Sequence, residues 1–276
     1  MRRNVRLLVH QVRAQNRFFW RVPVGAFFTL ILPILMLVLF VALFGNDLDF
    51  DGPAGASVSA AQFYTPALAV FAVGSATYTN IAINLSTRRE DGILRRVRGT
   101  PLPPWIYMAG AILSSVWIAL VSAAIMVTLG VIAYDVNIEL AKVPAMIVTF
   151  AVGSATFATL GVALAGVARS ASSASALANA TILPMAFISN IFIDLGADPP
   201  RWLRVTADIL PLKYFGVAFS EAMNPWSDAP AFVPDRLGVM ALWLVVGALI
   251  ARWRFRWDPI PGSTGRSARR GRRSAS

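Results

Sequence analysis

The stretch Ser86–Trp105, STRREDGILRRVRGTPLPPW, decides how the rest of the chain is laid out. It sets five arginines (Arg88, Arg89, Arg95, Arg96 and Arg98) between two long apolar runs. An arginine at a bilayer centre costs roughly 2.5–3.5 kcal/mol, so five together cost on the order of 12 kcal/mol or more, and the segment is expected to stay in water. Thr87 and Glu90 have the spacing of a capping box, which predicts a short helix starting at Thr87. Asp91 adds negative charge near its start, the arginines crowd its end, and Gly99 with Pro101 supplies a stop signal. Ile93, Leu94 and Val97 share a face. Two roles fit this pattern: a solvated basic loop that only fixes topology, or a helix whose apolar stripe seats in a groove on another protein.

Working outward, the 276-residue chain is 57% hydrophobic and 14% charged, with a mean hydropathy of +0.62. That is a polytopic membrane protein of the all-α class. The net charge of +11 does not point to nucleic acid, because the basic residues lie at membrane borders and in a tail. There is no cysteine, hence no disulfide framework and no thiol chemistry. The lone His10 sits among arginines without convergent partners, which favours a solvated or interfacial role over a metal or acid–base one.

Residues 2–22 read as an amphipathic interfacial helix, with Val5, Leu8, Val9, Val12 and Phe19 on one side and Arg6, Arg13 and Arg17 beside them. The apolar run Val24–Phe44 is too long for a signal peptide's core and is taken as the first span, kinked at Pro33. An acidic, Gly/Pro-rich loop follows over Gly45–Gln62. Further spans are expected at Phe63–Leu85, Ile106–Tyr134, Val143–Ala168, Leu177–Ile193 and Leu237–Ala251, the last extending through Trp253, Phe255 and Trp257. Gly153, Phe157, Gly161 and Ala165 recur every four residues, a ridge suited to close packing within the subunit or, less favoured, at a dimer seam. Asn179, Pro184 and Asn190 interrupt the fifth span, where they either soften the helix or line a path. The segment 194–235 is too polar to span and too apolar for a free loop, so short re-entrant or interfacial helices are expected. The domain plan is thus an interfacial helix (1–22), a six-span body (23–257) and a disordered basic tail (258–276) that anionic lipid would attract.

Placing both termini, the Ser86–Trp105 stretch and the Arg169 turn on one side gives that side twenty basic residues against five on the other. The positive-inside rule makes that side the cytoplasm. The expected spans hold no charged residue in their interiors, which weighs against a carboxylate-based ion relay. The chain has no G-x-x-x-x-G-K-[ST] and only two lysines, Lys142 and Lys213, so it has no P-loop for ATP.

The run Arg89-Glu90-Asp91-Gly92-Ile93-Leu94-Arg95-Arg96-Val97-Arg98-Gly99-Thr100-Pro101-Leu102 resembles the R-E-x-G-x-L-x-R-x-x-x-T-P-L pattern of ABC-2 type transporter permeases. Pro184, Phe187, Ser189 and Phe192, then Pro200-Arg201-Trp202-Leu203 and Leu210-Pro211-Leu212, extend the resemblance to drug-export members over nearly the whole chain. It implies a permease of a bacterial cell membrane that dimerises with itself or a homologue and pairs with nucleotide-binding ATPase subunits. ATP and Mg would be held by those partners, with no cofactor, metal or catalytic residue on this chain. Residues 87–99 would be the coupling helix: Arg89, Glu90, Gly92, Ile93, Leu94, Arg95, Arg96, Val97, Thr100 and Pro101 would form the coupling element, with Ile93, Leu94 and Val97 facing the ATPase cleft. Glu90→Lys or Leu94→Asp would then uncouple docking without unfolding the spans. The substrate route of such transporters, between the second and fifth spans, would offer Phe71, Tyr78, Asn179, Phe187 and Asn190 to an amphipathic drug, lipid or lipid-linked glycan.

Two other classes compete. A non-transporting scaffold, or a membrane enzyme with its site on the outer segment, would use Asp194, Asp198, Asp208 and Glu221, which have no His or Cys beside them. An ion channel would need charged rings or a filter loop that the pattern lacks.

Overall fold

The computed structural model describes residues 2–21, 27–44, 49–51, 57–193, 199–225 and 229–258. Within them the chain is helical apart from one short antiparallel pair, β1 (Asp49–Asp51) with β2 (Ser57–Ser59). In order, the helices are α1 (Arg2–Trp20), α2 (Leu32–Phe44, preceded by a π-helical turn, Phe27–Ile31), α3 (Ala60–Glu90), α4 (Ile93–Arg98), α5 (Pro104–Tyr134), α6 (Val143–Val167), α7 (Ala171–Ile188), α8 (Arg201–Ile209), α9 (Pro211–Met223) and α10 (Pro234–Arg254). Proline opens several of them (Pro104, Pro211 and Pro234), where its missing amide costs nothing.

Among the described residues five helices are long and apolar enough to cross a membrane: α3, α5, α6, α7 and α10. The expected first span, Val24–Phe44, corresponds to a shorter apolar helix, Thr29–Phe44, and residues 22–26 lie outside the described ones. The fifth span is shifted towards the N-terminus relative to expectation. It opens on a Ser170–Ser173 capping box and ends at Ile188, where Asn190 adopts a left-handed backbone (φ 63°). The tail beyond Asp258, and Asp194 and Asp198, lie outside the described residues.

Helix α3 is the axis of the fold. In its most apolar window 72% of residues are buried, against 11% for α10, and α2, α5, α6, α7 and α9 all pack on it. A π-helical turn at Ser75–Thr79 widens α3 halfway along. The small-residue ridge of α6 meets that turn: a Cβ on Gly161 would lie 2.7 Å from the Tyr78 carbonyl oxygen and 2.9 Å from that of Thr77. Gly153 is closed off in the same way by the Phe215 ring of α9, and Phe157 and Ala165 are buried. The ridge therefore packs inside one chain. Gly161→Val forces the helices apart against backbone atoms that cannot rotate away, and is expected to lower stability by about 1–3 kcal/mol. Thermal unfolding of the detergent-solubilised protein checks this.

Among the described residues of the 194–235 segment are two short helices, α8 and α9, but α9 is no surface element. Leu212, Phe215, Ala218, Phe219, Ala222 and Met223 are all buried, against α3, α6 and α10. Its C-terminal end is pinned by polar groups. Gln62 of α3 donates to the Met223 carbonyl (3.3 Å) and exchanges two hydrogen bonds with the Asn137 backbone. Lys142, expected in a polar loop, is fully buried: its ammonium donates to the Asn224 carbonyl at 2.6 Å and pairs with Glu139 at 2.8 Å. A cation there complements the negative end of the α9 dipole.

Candidate functional site

Two features hold the residues singled out by sequence: the α3–α4 junction and a cavity beside α3.

At the junction, the expected capping box does not form. Thr87 lies inside α3, and its hydroxyl donates back to the Ile83 carbonyl at 2.9 Å. A threonine hydroxyl satisfied by the preceding turn gives the same string as an N-cap, which is why the spacing misleads. The helix runs on to Glu90 and is stopped by Asp91, whose amide donates to the Thr87 carbonyl, and by Gly92 with φ 69°. A left-handed glycine is the usual way to end a helix. The expected single helix over 87–99 is therefore broken, and α4 covers only Ile93–Arg98. The Asp-Gly pair carried a turn signal that points to this break.

The five arginines consequently divide. Arg88 and Arg89 belong to α3 and turn inward. Arg88 donates to Gln15 Oε1 of α1 and to the Tyr107 hydroxyl of α5, both at 2.8 Å. It also stacks over the Phe18 ring, 5.1 Å from its centroid, so one guanidinium ties three helices together. Arg89, only 2% exposed, donates from Nη1 to the Ala165 carbonyl (2.7 Å) and from Nη2 to the Ala168 carbonyl (2.5 Å). The expectation of five solvated arginines is corrected at this residue, which lies one position before the end of α3 and beyond the expected span Phe63–Leu85. Burial is tolerated because the guanidinium fork meets two carbonyls at the end of α6. Glu90 accepts the Ala171 amide at 2.8 Å, the first residue of α7.

Arg95, Arg96 and Arg98 are exposed on α4. Arg98 makes a surface pair with Asp258 at 3.3 Å. Thr100 finishes the segment by donating to the Val97 carbonyl at 2.7 Å, and Pro101 follows. The apolar stripe does not present one surface. Leu94 is 0% exposed and packs with Ile81, Leu85, Tyr107, Ala158, Val162 and Ala165, and Val97 lies against the same cluster. Ile93 is 37% exposed. The outward face of α4 is thus Ile93 with Arg95, Arg96 and Arg98, while Leu94 fastens the helix to its own chain. Leu94→Asp and Glu90→Lys would break internal contacts, so neither isolates docking.

The cavity, of about 470 Å³, lies between α1, α2, α3 and α7. Its wall is mainly apolar (Phe18, Phe19, Leu32, Phe71, Ile182), with Asn80, Asn84 and Asn179 among its polar groups and no charged side chain. Asn84 hydrogen-bonds Asn80 one turn away. Of the five path residues expected from sequence, Phe71 and Asn179 line it. Tyr78 instead joins α3 to α7 through its hydroxyl and Thr181, 2.7 Å apart. Phe187, exposed, and Asn190 lie beyond it towards the end of α7, where Phe187 packs edge-on to Phe192. Sequence reasoning did not find Asn80 and Asn84, although polar side chains within an apolar span were the available signal.

Among the described residues no group of His, Cys, Asp or Glu is placed to hold a metal. Asp208 pairs with Lys213 at 2.6 Å. The model of the ABC-2 type transporter family matches residues 7–224, a stretch that takes in the junction, the cavity wall and α9. A comparison with curated proteins finds no match.

Proposed function

The chain belongs to the ABC-2 type transporter family, and on that premise we propose that this multi-pass membrane protein is the permease subunit of an ABC exporter. A separate ATPase subunit docks on α4 and drives an amphipathic drug, lipid or lipid-linked glycan through the span bundle. The short apolar helix Thr29–Phe44 counts as the first of six spans, with α1 lying in the interface and α8 and α9 forming the outer re-entrant element. Both termini and α4 face the cytoplasm of a bacterial cell, a placement of the basic side that the twenty-to-five division of basic residues supports. ATP and Mg sit on the partner. Two permease copies, or this chain and a homologue, bring their α3 and α7 faces together.

The observation that carries this reading is the outward face of α4. It is a short helix held rigidly from behind by Leu94, with one exposed apolar residue and three exposed arginines in front, which suits a partner groove with an acidic rim. The cavity supports the cargo class, because a largely apolar wall with neutral amides solvates an amphiphile without demanding charge.

The test is co-purification with the ATPase encoded beside it and, after reconstitution, ATPase stimulation across a panel of drugs and lipids. Arg95→Glu with Arg96→Glu is expected to lower co-purification about tenfold or more, as expected for removing complementary charge from a rim. Asn179→Leu leaves docking intact and shifts the stimulating concentration of polar-headed amphiphiles upward. Undiminished ATPase binding by the double charge reversal would overturn the docking face.

A further inference from the structure

Arg89 and Glu90 are adjacent residues of opposite charge, and each grips a different helix end. The cation holds the last carbonyls of α6, those of Ala165 and Ala168. The anion holds the first amide of α7, that of Ala171. Each sign is the one that the helix dipole favours at that end. The turn between α6 and α7 is short enough, Ala168–Ser170, that consecutive side chains of α3 reach both sides of it.

Glu90 is not needed to start α7. Ser170 already caps that helix: its hydroxyl accepts the Ser173 amide, and Ser173 accepts the Ser170 amide in return. The Glu90 contact is additional, and what it adds is a link between elements 81 residues apart. On the far side of the junction Leu94 is buried in a cluster that also holds Ala158, Val162 and Ala165 of α6. Between these two attachments lies Gly92, left-handed and with open space around its Cβ position, where the direction of the chain changes from α3 to α4.

We propose that Arg89 and Glu90 form a two-ended clamp that fixes the end of α3 to the α6–α7 turn and, with Leu94 seating α4 on the other side of Gly92, makes α4 and that turn move as one body, so that a push on α4 reaches α6 and α7 instead of being absorbed at Gly92. This rests on the reading that a partner ATPase presses on α4. Arg89 and Glu90 are then positioning residues, and they do not touch the partner or the cargo.

The chain has no native cysteine, so Arg96→Cys with Ser172→Cys takes two spin labels directly. In the isolated permease in lipid nanodiscs, the 96–172 distance distribution is expected to be narrow. Glu90→Ala broadens it, and Glu90→Gln, which keeps an acceptor for the Ala171 amide, leaves it narrow. In the reconstituted complex, Glu90→Ala retains the ATPase and its basal activity but loses about tenfold or more of its substrate stimulation. An unchanged distribution in Glu90→Ala overturns the clamp whatever the partner does. Loss of ATPase co-purification by Glu90→Ala alongside a narrow distribution overturns it too, by making Glu90 a docking residue. If no ATPase binds the wild-type permease, the docking reading fails, while the nanodisc distances still decide whether the clamp exists.

Discussion

Leu94→Asp is expected to destabilise the permease by about 3 kcal/mol or more, whereas Ile93→Asp, one residue earlier, costs under about 0.5 kcal/mol. The difference comes from burial. Leu94 has no exposed surface, and the cluster around it is aliphatic (Ile81, Leu85, Ala158, Val162) apart from Tyr107, whose hydroxyl is engaged by Arg88. Arg89, the nearest cation in sequence on the inner side, is already committed to two carbonyls. Ile93 projects far enough from α4 for an aspartate to remain in water. In thermal unfolding the first variant should fall by roughly 10 °C, taking ~2–4 °C per kcal/mol for a chain of this size, and the second should stay near wild type. Only the second variant then reports on docking, as loss of ATPase binding by a folded permease. Equal melting behaviour of the two would mean that α4 does not rest on the cluster beneath it.

The contrast shows where sequence reasoning succeeds and where it stops. Five of the spans are visible as apolar runs because the lipid requirement acts on some twenty consecutive residues at once. Their ends were less legible. Ser86 to Glu90 reads as the start of a water-exposed helix, and only the carbonyls of Ala165 and Ala168 explain why α3 continues through it. Those partners are backbone atoms 76 and 79 residues away, and a backbone carbonyl leaves no signature in composition or spacing. Lys142 is the same case, since its acceptor is the carbonyl of Asn224. The stripe Ile93, Leu94, Val97 marks an apolar helix face correctly, but periodicity does not say whether that face meets another protein or the helix's own chain. The small-residue ridge was easier to assign, because Gly153 and Gly161 must admit something bulky or a backbone, and here those are Phe215 and the widened turn of α3.

Arg89→Met is the second substitution expected to have a large effect, about 2–4 kcal/mol of lost stability. Methionine fills much of the volume but offers no donor, so the Ala165 and Ala168 carbonyls lose their partner at residues that are themselves buried. Leaving a buried acceptor unsatisfied costs roughly 1–3 kcal/mol each, and the end of α6 is where such acceptors have no intrahelical alternative. Arg89→Lys separates charge from geometry. An ammonium keeps the sign that suits the end of α6, yet it lacks the planar fork that reaches two carbonyls from one side chain. It should therefore restore about half of the loss in a thermal unfolding series run on all three proteins. If lysine matched arginine, charge at the helix end would suffice and the two-carbonyl geometry would carry no weight. If methionine matched arginine, the carbonyls of α6 would have to be met by other groups, and Arg89 would not be what fastens α3 to the α6–α7 turn.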